Sequence, residues 1–156
     1  MKISLLQVGA IVDKYLQVGV DDYLKRLRRY TKFDVIEIKD IKNAAKLSKD
    51  ELKKKEAIEI LKRVDCGDFV VILDEKGNNL SSQKFASFIQ ERMNLSTKRL
   101  VFIIGGAYGF DESVYQRADF KLSLSEMTFS HRMIRLLFTE QLYRAFTILR
   151  GEPYHH

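Results

Sequence analysis

Phe69-Val70-Val71-Ile72-Leu73 and Leu100-Val101-Phe102-Ile103-Ile104 decide the fold class. Both runs are rich in β-branched and aromatic side chains and offer no polar position to water. A strand apolar on both faces must be covered on both, which is the condition of a parallel sheet flanked by helices. The first run leads into Asp74-Glu75-Lys76-Gly77-Asn78-Asn79, which reads as a turn, and the second stops at Gly105-Gly106-Ala107-Tyr108-Gly109. Outward from these, Ile3 to Val8, Phe33 to Ile38 and Phe120 to Leu124 read as further strands. Leu16, Val20, Tyr23, Leu24 and Leu27 recur at helical spacing. Ser48 with Glu51 forms a capping box for a helix with the stripe Ala57, Ile60, Leu61 and Val64, and Ser81 or Ser82 caps one carrying Phe85, Phe88, Ile89 and Met93.

The final helix is predicted from Ser130 to Leu149. Of the 17 residues from Met133 to Leu149, 11 are apolar, and they leave no broad polar face. One sheet at the end of a small domain does not cover such a helix, so a homodimer is expected.

With 156 residues, 46% of them hydrophobic, one proline and no low-complexity linker, the chain is expected to form a single domain over 1–156 with a core that needs no staple. Cys66 is the only cysteine, which excludes an internal disulfide framework; it reads as a buried small hydrophobe in a cytoplasmic protein. The apolar runs are too short to span a bilayer, and no signal peptide is visible, so no membrane association is expected. A net charge of +6 favours polyanionic partners. From Met127 onward every Lys or Arg is an arginine: Arg132, Arg135, Arg144 and Arg150. Arginine's planar fork suits phosphate, so this segment is the expected RNA contact.

In parallel sheets of this class ligands bind beyond the carboxyl ends of the strands, here the loops after Leu73, Ile104 and Leu124. Glycine at 105, 106 and 109 permits positive φ and close backbone approach, either for a ligand or for a tight turn. The spacing is neither G-x-G-x-x-G nor a P-loop, which disfavours dinucleotides and nucleoside triphosphates. No H-E-x-x-H or EF-hand pattern occurs and the three histidines are not spaced as a zinc set, so no metal is expected. His131, ahead of the arginine-bearing helix, and Tyr154-His155 near the C-terminus remain as titratable candidates.

Leu100 to Gly109, Leu122-Ser123-Leu124-Ser125-Glu126-Met127-Thr128-Phe129-Ser130-His131, Glu140-Gln141-Leu142-Tyr143-Arg144-Ala145 and Gly151-Glu152-Pro153-Tyr154-His155 together resemble the RlmH family. Its members are SPOUT-class methyltransferases acting on pseudouridine in 23S rRNA. The likeness extends over essentially the whole chain, including Val8-Gly9 and Leu80-Ser81-Ser82. The chain departs from the family pattern at Ser130, where proline is usual, at Asn78, near which a basic residue is usual, and at His156, where a basic residue is common. Ser130 is able to cap the last helix.

The resemblance implies an α/β fold with a mostly parallel sheet, helices on both faces and a C-terminal trefoil knot, the knot and cofactor region lying at about 100–156. It implies S-adenosylmethionine as methyl donor, held by Leu73, Gly105, Leu124, Ser125, Glu126, Met127, Thr128 and Phe129. The expected reaction is methylation of pseudouridine N3, and because a chain of this size with no appended RNA-binding module offers few RNA contacts, the expected substrate is the assembled ribosome. His131 or His155 is the candidate proton acceptor and Arg144, with Arg132 or Arg135, the candidate stabiliser of the anionic base or its phosphates. Tyr154 and His155 belong to a tail expected to reach the partner's pocket in the dimer. Arg135, with Glu140 nearby in sequence, reads as the most structural of the arginines. Two other readings stay open: a catalytically silent ribosome- or RNA-binding knotted protein, and a related methyltransferase acting on tRNA.

Overall fold

The computed structural model describes residues 1–11 and 13–155, the side chain of His155 excepted. Strands β1 (Lys2–Val8), β2 (Lys32–Ile38), β3 (Phe69–Asn79), β4 (Arg99–Ile104) and β5 (Phe120–Ser123) alternate with helices α1 (Lys14–Leu27), α2 (Lys49–Leu61), α3 (Ser82–Asn94), α4 (Glu112–Arg117) and α5 (Met133–Leu149). The strands form one sheet, ordered β2-β1-β4-β3-β5, in which every pairing is parallel. The inner strands β1, β3 and β4 carry buried apolar residues toward both faces, as the continuous runs require.

Alternation along the strands divides the core in two. Ile3, Leu5, Val71, Leu100 and Phe102 face Leu27 of α1, Phe85 and Ile89 of α3, and Phe138 and Leu142 of α5. Leu6, Val8, Val70, Ile72, Val101 and Ile103 face Ala57 and Ile60 of α2 and Val114 of α4. Local signals set the helix starts: Ser48 and Glu51 complete the capping box, Ser81 accepts from the Lys84 amide, and Asp111 caps α4. Arg99, at the start of β4, donates to Ser4 Oγ of β1 at 3.1 Å and to Asp68 Oδ2, just ahead of β3, at 3.0 Å, tying three strands together.

Four features differ from the sequence-based expectations. Residues 74–79 are not a simple turn, because β3 continues to Asn79 with a register shift: Leu122 is opposite both Leu73 and Asn78. Helix α5 begins at Met133, after a turn in which Ser130 Oγ accepts from the Met133 amide at 3.2 Å. It lies in one layer with α1 and α3, so the flanking helices as well as the sheet cover part of its apolar circumference, while Met133, Leu136 and Leu137 stay half-buried. Cys66 is exposed rather than buried.

The register shift requires Gly77. A Cβ there would lie 2.7–2.8 Å from backbone atoms of Lys121 and Leu122, which cannot swing aside as a side chain would. Gly77→Ala is therefore expected to cost about 1–3 kcal/mol or more by forced overpacking, whereas Gly67→Ala, with open space around it, should be nearly neutral. Thermal or urea unfolding of the two variants checks this.

Candidate active site

Beyond the carboxyl ends of β3, β4 and β5 lies a cleft of about 530 Å³. Three loops build it: 73–76, 104–110 and 122–131. Leu73, Ile104, Leu124, Met127 and Phe129 supply apolar walls. Asp74, Glu75, Lys76, Ser123, Ser125, Thr128, Ser130 and His131 supply polar groups along the cleft. Within the glycine loop only Gly109 has positive φ, at +76°.

Side-chain bonds hold these loops. Ser123 Oγ donates to the Ser125 carbonyl at 2.8 Å, and Ser125 Oγ accepts from the Met127 amide at 2.9 Å. Thr128 Oγ1 donates to Glu75 Oε2 at 3.4 Å, linking the first loop to the third. The Tyr115 hydroxyl donates to Asp74, and Lys121 Nζ lies 4.8 Å from the centre of the Tyr115 ring. Burial, then the Asp74 carboxylate, pushes the Tyr115 hydroxyl above its usual range, so it remains a donor.

Of the residues implied as cofactor contacts, Leu73, Gly105, Leu124, Ser125, Met127, Thr128 and Phe129 line this cleft. Glu126 lies in the same loop but is not among the lining residues. His131 lines the cleft and is partly buried. Burial first, then the charges of Arg135 and Arg132, pull its pKa below the usual 6.5, while Asp40 opposes them. His131 is thus neutral at pH 7 and able to accept a proton.

Arg144 and Tyr154 do not line the cleft of their own chain. They belong to a cluster on α1, α5 and the tail. Arg144 Nη2 donates to Glu140 Oε1 at 2.7 Å and its guanidinium lies 4.9 Å from the centre of the Tyr154 ring. The Tyr154 hydroxyl is 3.1 Å from that of Tyr23 and its ring meets Tyr143 edge-on at 4.7 Å. The His155 side chain, the other tail candidate, lies outside the described residues.

Arg135 does not pair with Glu140, whose partner is Arg144. Completely buried, it reaches from α5 to donate to the Val8 carbonyl, while its Nε and Nη1 have no partner among the described residues. Arg132 bridges to Asp13 at 3.2 Å. Sequence reading missed the contributions of Asp74, Glu75 and Tyr115, because 74–79 read as a turn and α4 is too short to show periodicity. Among the described residues, no group of three or more His, Cys, Asp or Glu side chains is placed to hold a metal, and no helix is long and apolar enough to cross a membrane.

The chain that builds this parallel sheet and cleft matches, over residues 1–155, the model of the family described as "Predicted SPOUT methyltransferase". The chain belongs to that family. It is 53% identical over 156 residues to Ribosomal RNA large subunit methyltransferase H of Christiangramia forsetii, covering 100% of this chain and 99% of that protein. To the protein of the same name from Bacteroides thetaiotaomicron it is 51% identical, again over 100% and 99%. Among solved structures, tRNA (m1G37) methyltransferase from Aquifex aeolicus shares the fold, with a TM-score of 0.55 and 18% identity over 92% of this chain and 70% of that one.

Glu56 of α2 backs the glycine loop. Its carboxylate lies so close to Gly106 that a Cβ there would come within 2.6 Å, and burial, then the charge of Asp40, raises its pKa above the usual 4.5. The folded state therefore binds this proton more tightly than the unfolded chain, and the ionised form destabilises the fold above the folded pKa. Glu56→Gln is expected to raise the melting temperature at pH 7, with the gain shrinking as pH falls through the folded value and vanishing below about 4.5. Melting curves of both proteins from pH 4 to 8 test this.

Proposed function

We propose that this protein is an S-adenosylmethionine-dependent methyltransferase of the large-subunit ribosomal RNA, methylating N3 of a pseudouridine on the assembled ribosome in the cytoplasm. The observation that carries the reading is the cleft at the ends of β3, β4 and β5, in a chain about half identical, end to end, to ribosomal RNA methyltransferases. The cleft fits the cofactor in size and chemistry: Leu73, Ile104, Leu124, Met127 and Phe129 offer apolar walls for an adenine, and Asp74 and Glu75 on its first loop offer carboxylates to a cationic sulfonium and amine. Leu73, Gly105 and the 124–129 segment would hold it, Glu126 through its backbone. When bound, S-adenosylmethionine supplies an electrophilic methyl group on a sulfonium.

The chain's own residues align the acceptor, remove the N3 proton and stabilise the developing imidate. Neutral His131 at the rim accepts the proton. Arg144 and Tyr154, organised by Glu140 and Tyr23, offer cationic and hydroxyl donors. Since they do not line their own chain's cleft, the reading requires a homodimer in which the tail cluster of one protomer, His155 included, completes the partner's site. Tyr15 and Val18 on α1, each 70% exposed, and Met127 at the cleft, 74% exposed, supply apolar surface for such an interface. In the same reading the chain is one domain over 1–156, with a C-terminal trefoil knot in the region of about 100–156.

Radiolabelled methyl transfer to ribosomes, free 23S rRNA and bulk tRNA, measured side by side, tests the assignment. Label on ribosomes alone is expected; label on tRNA would move the substrate, and absence of both labelling and cofactor binding would leave a silent binding protein. Replacing Tyr154 and His155 together by Phe and Ala should abolish methylation with cofactor affinity nearly unchanged, and an active double variant would refute the composite site. The acid limb of kcat/KM should lie below pH 6.5, since His131 works unprotonated. Arg132→Gln should move that limb upward by removing a like charge.

A further inference from the structure

The arginines of the C-terminal segment, expected from sequence to contact RNA, are mostly engaged. Arg132 pairs with Asp13, Arg144 with Glu140, and Arg135 is buried. The cations without a carboxylate lie elsewhere. Where α1 ends and β2 begins, exposed Lys25, Arg28, Arg29 and Lys32 take part in no ion pair or side-chain hydrogen bond among the described residues. Arg28, Arg29 and Lys32 line an open groove of about 480 Å³. The carboxylate in its wall, Asp34, is neutralised by Lys2 at 3.0 Å. Arg150, the remaining C-terminal arginine, lies 4.5 Å from the centre of the Tyr30 ring in the groove wall and adds a further exposed charge.

This groove lies at the amino edge of the sheet, where Lys2 is opposite Lys32, and the cleft lies at the carboxyl edge. A seven-residue strand separates them by roughly 20 Å. Cations gathered without counter-charges repel one another, and a polyanion relieves that repulsion while releasing its own counterions. Tyr30 is already covered by Arg150, Tyr143 and Phe146, and Phe33 packs against the core, so neither aromatic ring of the groove presents an open face to a base. Recognition here is of phosphates, without base readout.

We propose that the Arg28–Arg29–Lys32 groove is a docking site for the phosphodiester backbone of structured RNA, about 20 Å from the cleft, and that it holds the enzyme on its substrate without taking part in methyl transfer. The proposal rests on the RNA-methyltransferase reading for its partner, though not for its electrostatics. It assigns affinity to one edge of the sheet and chemistry to the other.

The test is the triple variant Arg28→Gln, Arg29→Gln, Lys32→Gln beside a control of equal charge removal on the opposite face, Lys53→Gln, Lys54→Gln, Lys55→Gln. Binding to ribosomes is measured against potassium chloride concentration, together with methyl-transfer kinetics, S-adenosylmethionine affinity and melting temperature. For the groove variant the slope of log K against log salt should shrink by roughly two to three, nearly one for each phosphate that is no longer neutralised. KM for ribosomes should rise about tenfold or more, with kcat, cofactor affinity and melting temperature retained. The control should match the wild type. Equal weakening in both variants, unchanged binding in the groove variant, or groove-dependent binding to anionic phospholipid vesicles with none to RNA would overturn the proposal. Should the wild type bind ribosomes through the groove yet methylate nothing, the docking site stands and the catalytic assignment falls; methylation indifferent to the groove gives the converse.

Discussion

Leu122 stands opposite β3 twice, at Leu73 and again at Asn78, and most of the site follows from that double pairing. Residues 74–77 have no place in the ladder and project over the carboxyl end of the sheet, where they form one side of the cleft. The arrangement holds because Gly77 lets two backbones meet closer than any Cβ permits. Asp74 then meets Tyr115 from α4 and Glu75 meets Thr128 from the third loop. A short polar segment is thereby fixed at both flanks. Binding surfaces made chiefly of backbone need such fixation, since mobile loops would lose conformational entropy each time a ligand ordered them.

The same sheet separates two kinds of electrostatics. Two arginines of the C-terminal segment are held in ion pairs, Arg132 with Asp13 and Arg144 with Glu140, and Arg135 is buried against the Val8 carbonyl. At the amino edge the positive charges around Arg28 and Arg29 have no such partners among the described residues. Charges held in pairs are oriented and selective; charges left unpaired act at a distance and depend on salt. The sequence reading assigned RNA contact to arginine as a residue type, which describes chemistry but not availability. Availability is set by what each guanidinium meets after folding, and Asp13 is more than a hundred residues from Arg132.

How much of the fold was legible follows from the range of the forces involved. The buried strands declared themselves because burial on both faces removes every polar position, and Ser48 and Ser81 declared their helix starts because caps are local. Most of the cleft was legible too, since its three loops follow strands that could be recognised. The continuation of β3, the Tyr115–Asp74 contact and the separation of Arg144 from its own cleft were not. Each depends on a pairing between distant segments, for which neither periodicity nor capping leaves a mark. The covering of α5 was legible only in part: an apolar circumference shows that a helix is enclosed, and does not show how much of it α1 and α3 enclose and how much is left for another chain.

In the catalytic reading, His131 works in a neighbourhood that lowers its own basicity, which would at first sight weaken a proton acceptor. Positive potential acts on both ends of the transfer, however. It disfavours the imidazolium, and it favours the imidate left when N3 loses its proton. An acceptor already neutral at the working pH, facing an acid whose anion is stabilised by the same field, has its driving force restored from the substrate side. A strongly basic histidine beside carboxylates would reverse both terms: protonated at rest, and set against the charge the reaction must create. In this reading burial first, then the arginine-bearing start of α5, keeps His131 neutral, and the same arginines favour the imidate without any guanidinium having to touch the methyl group.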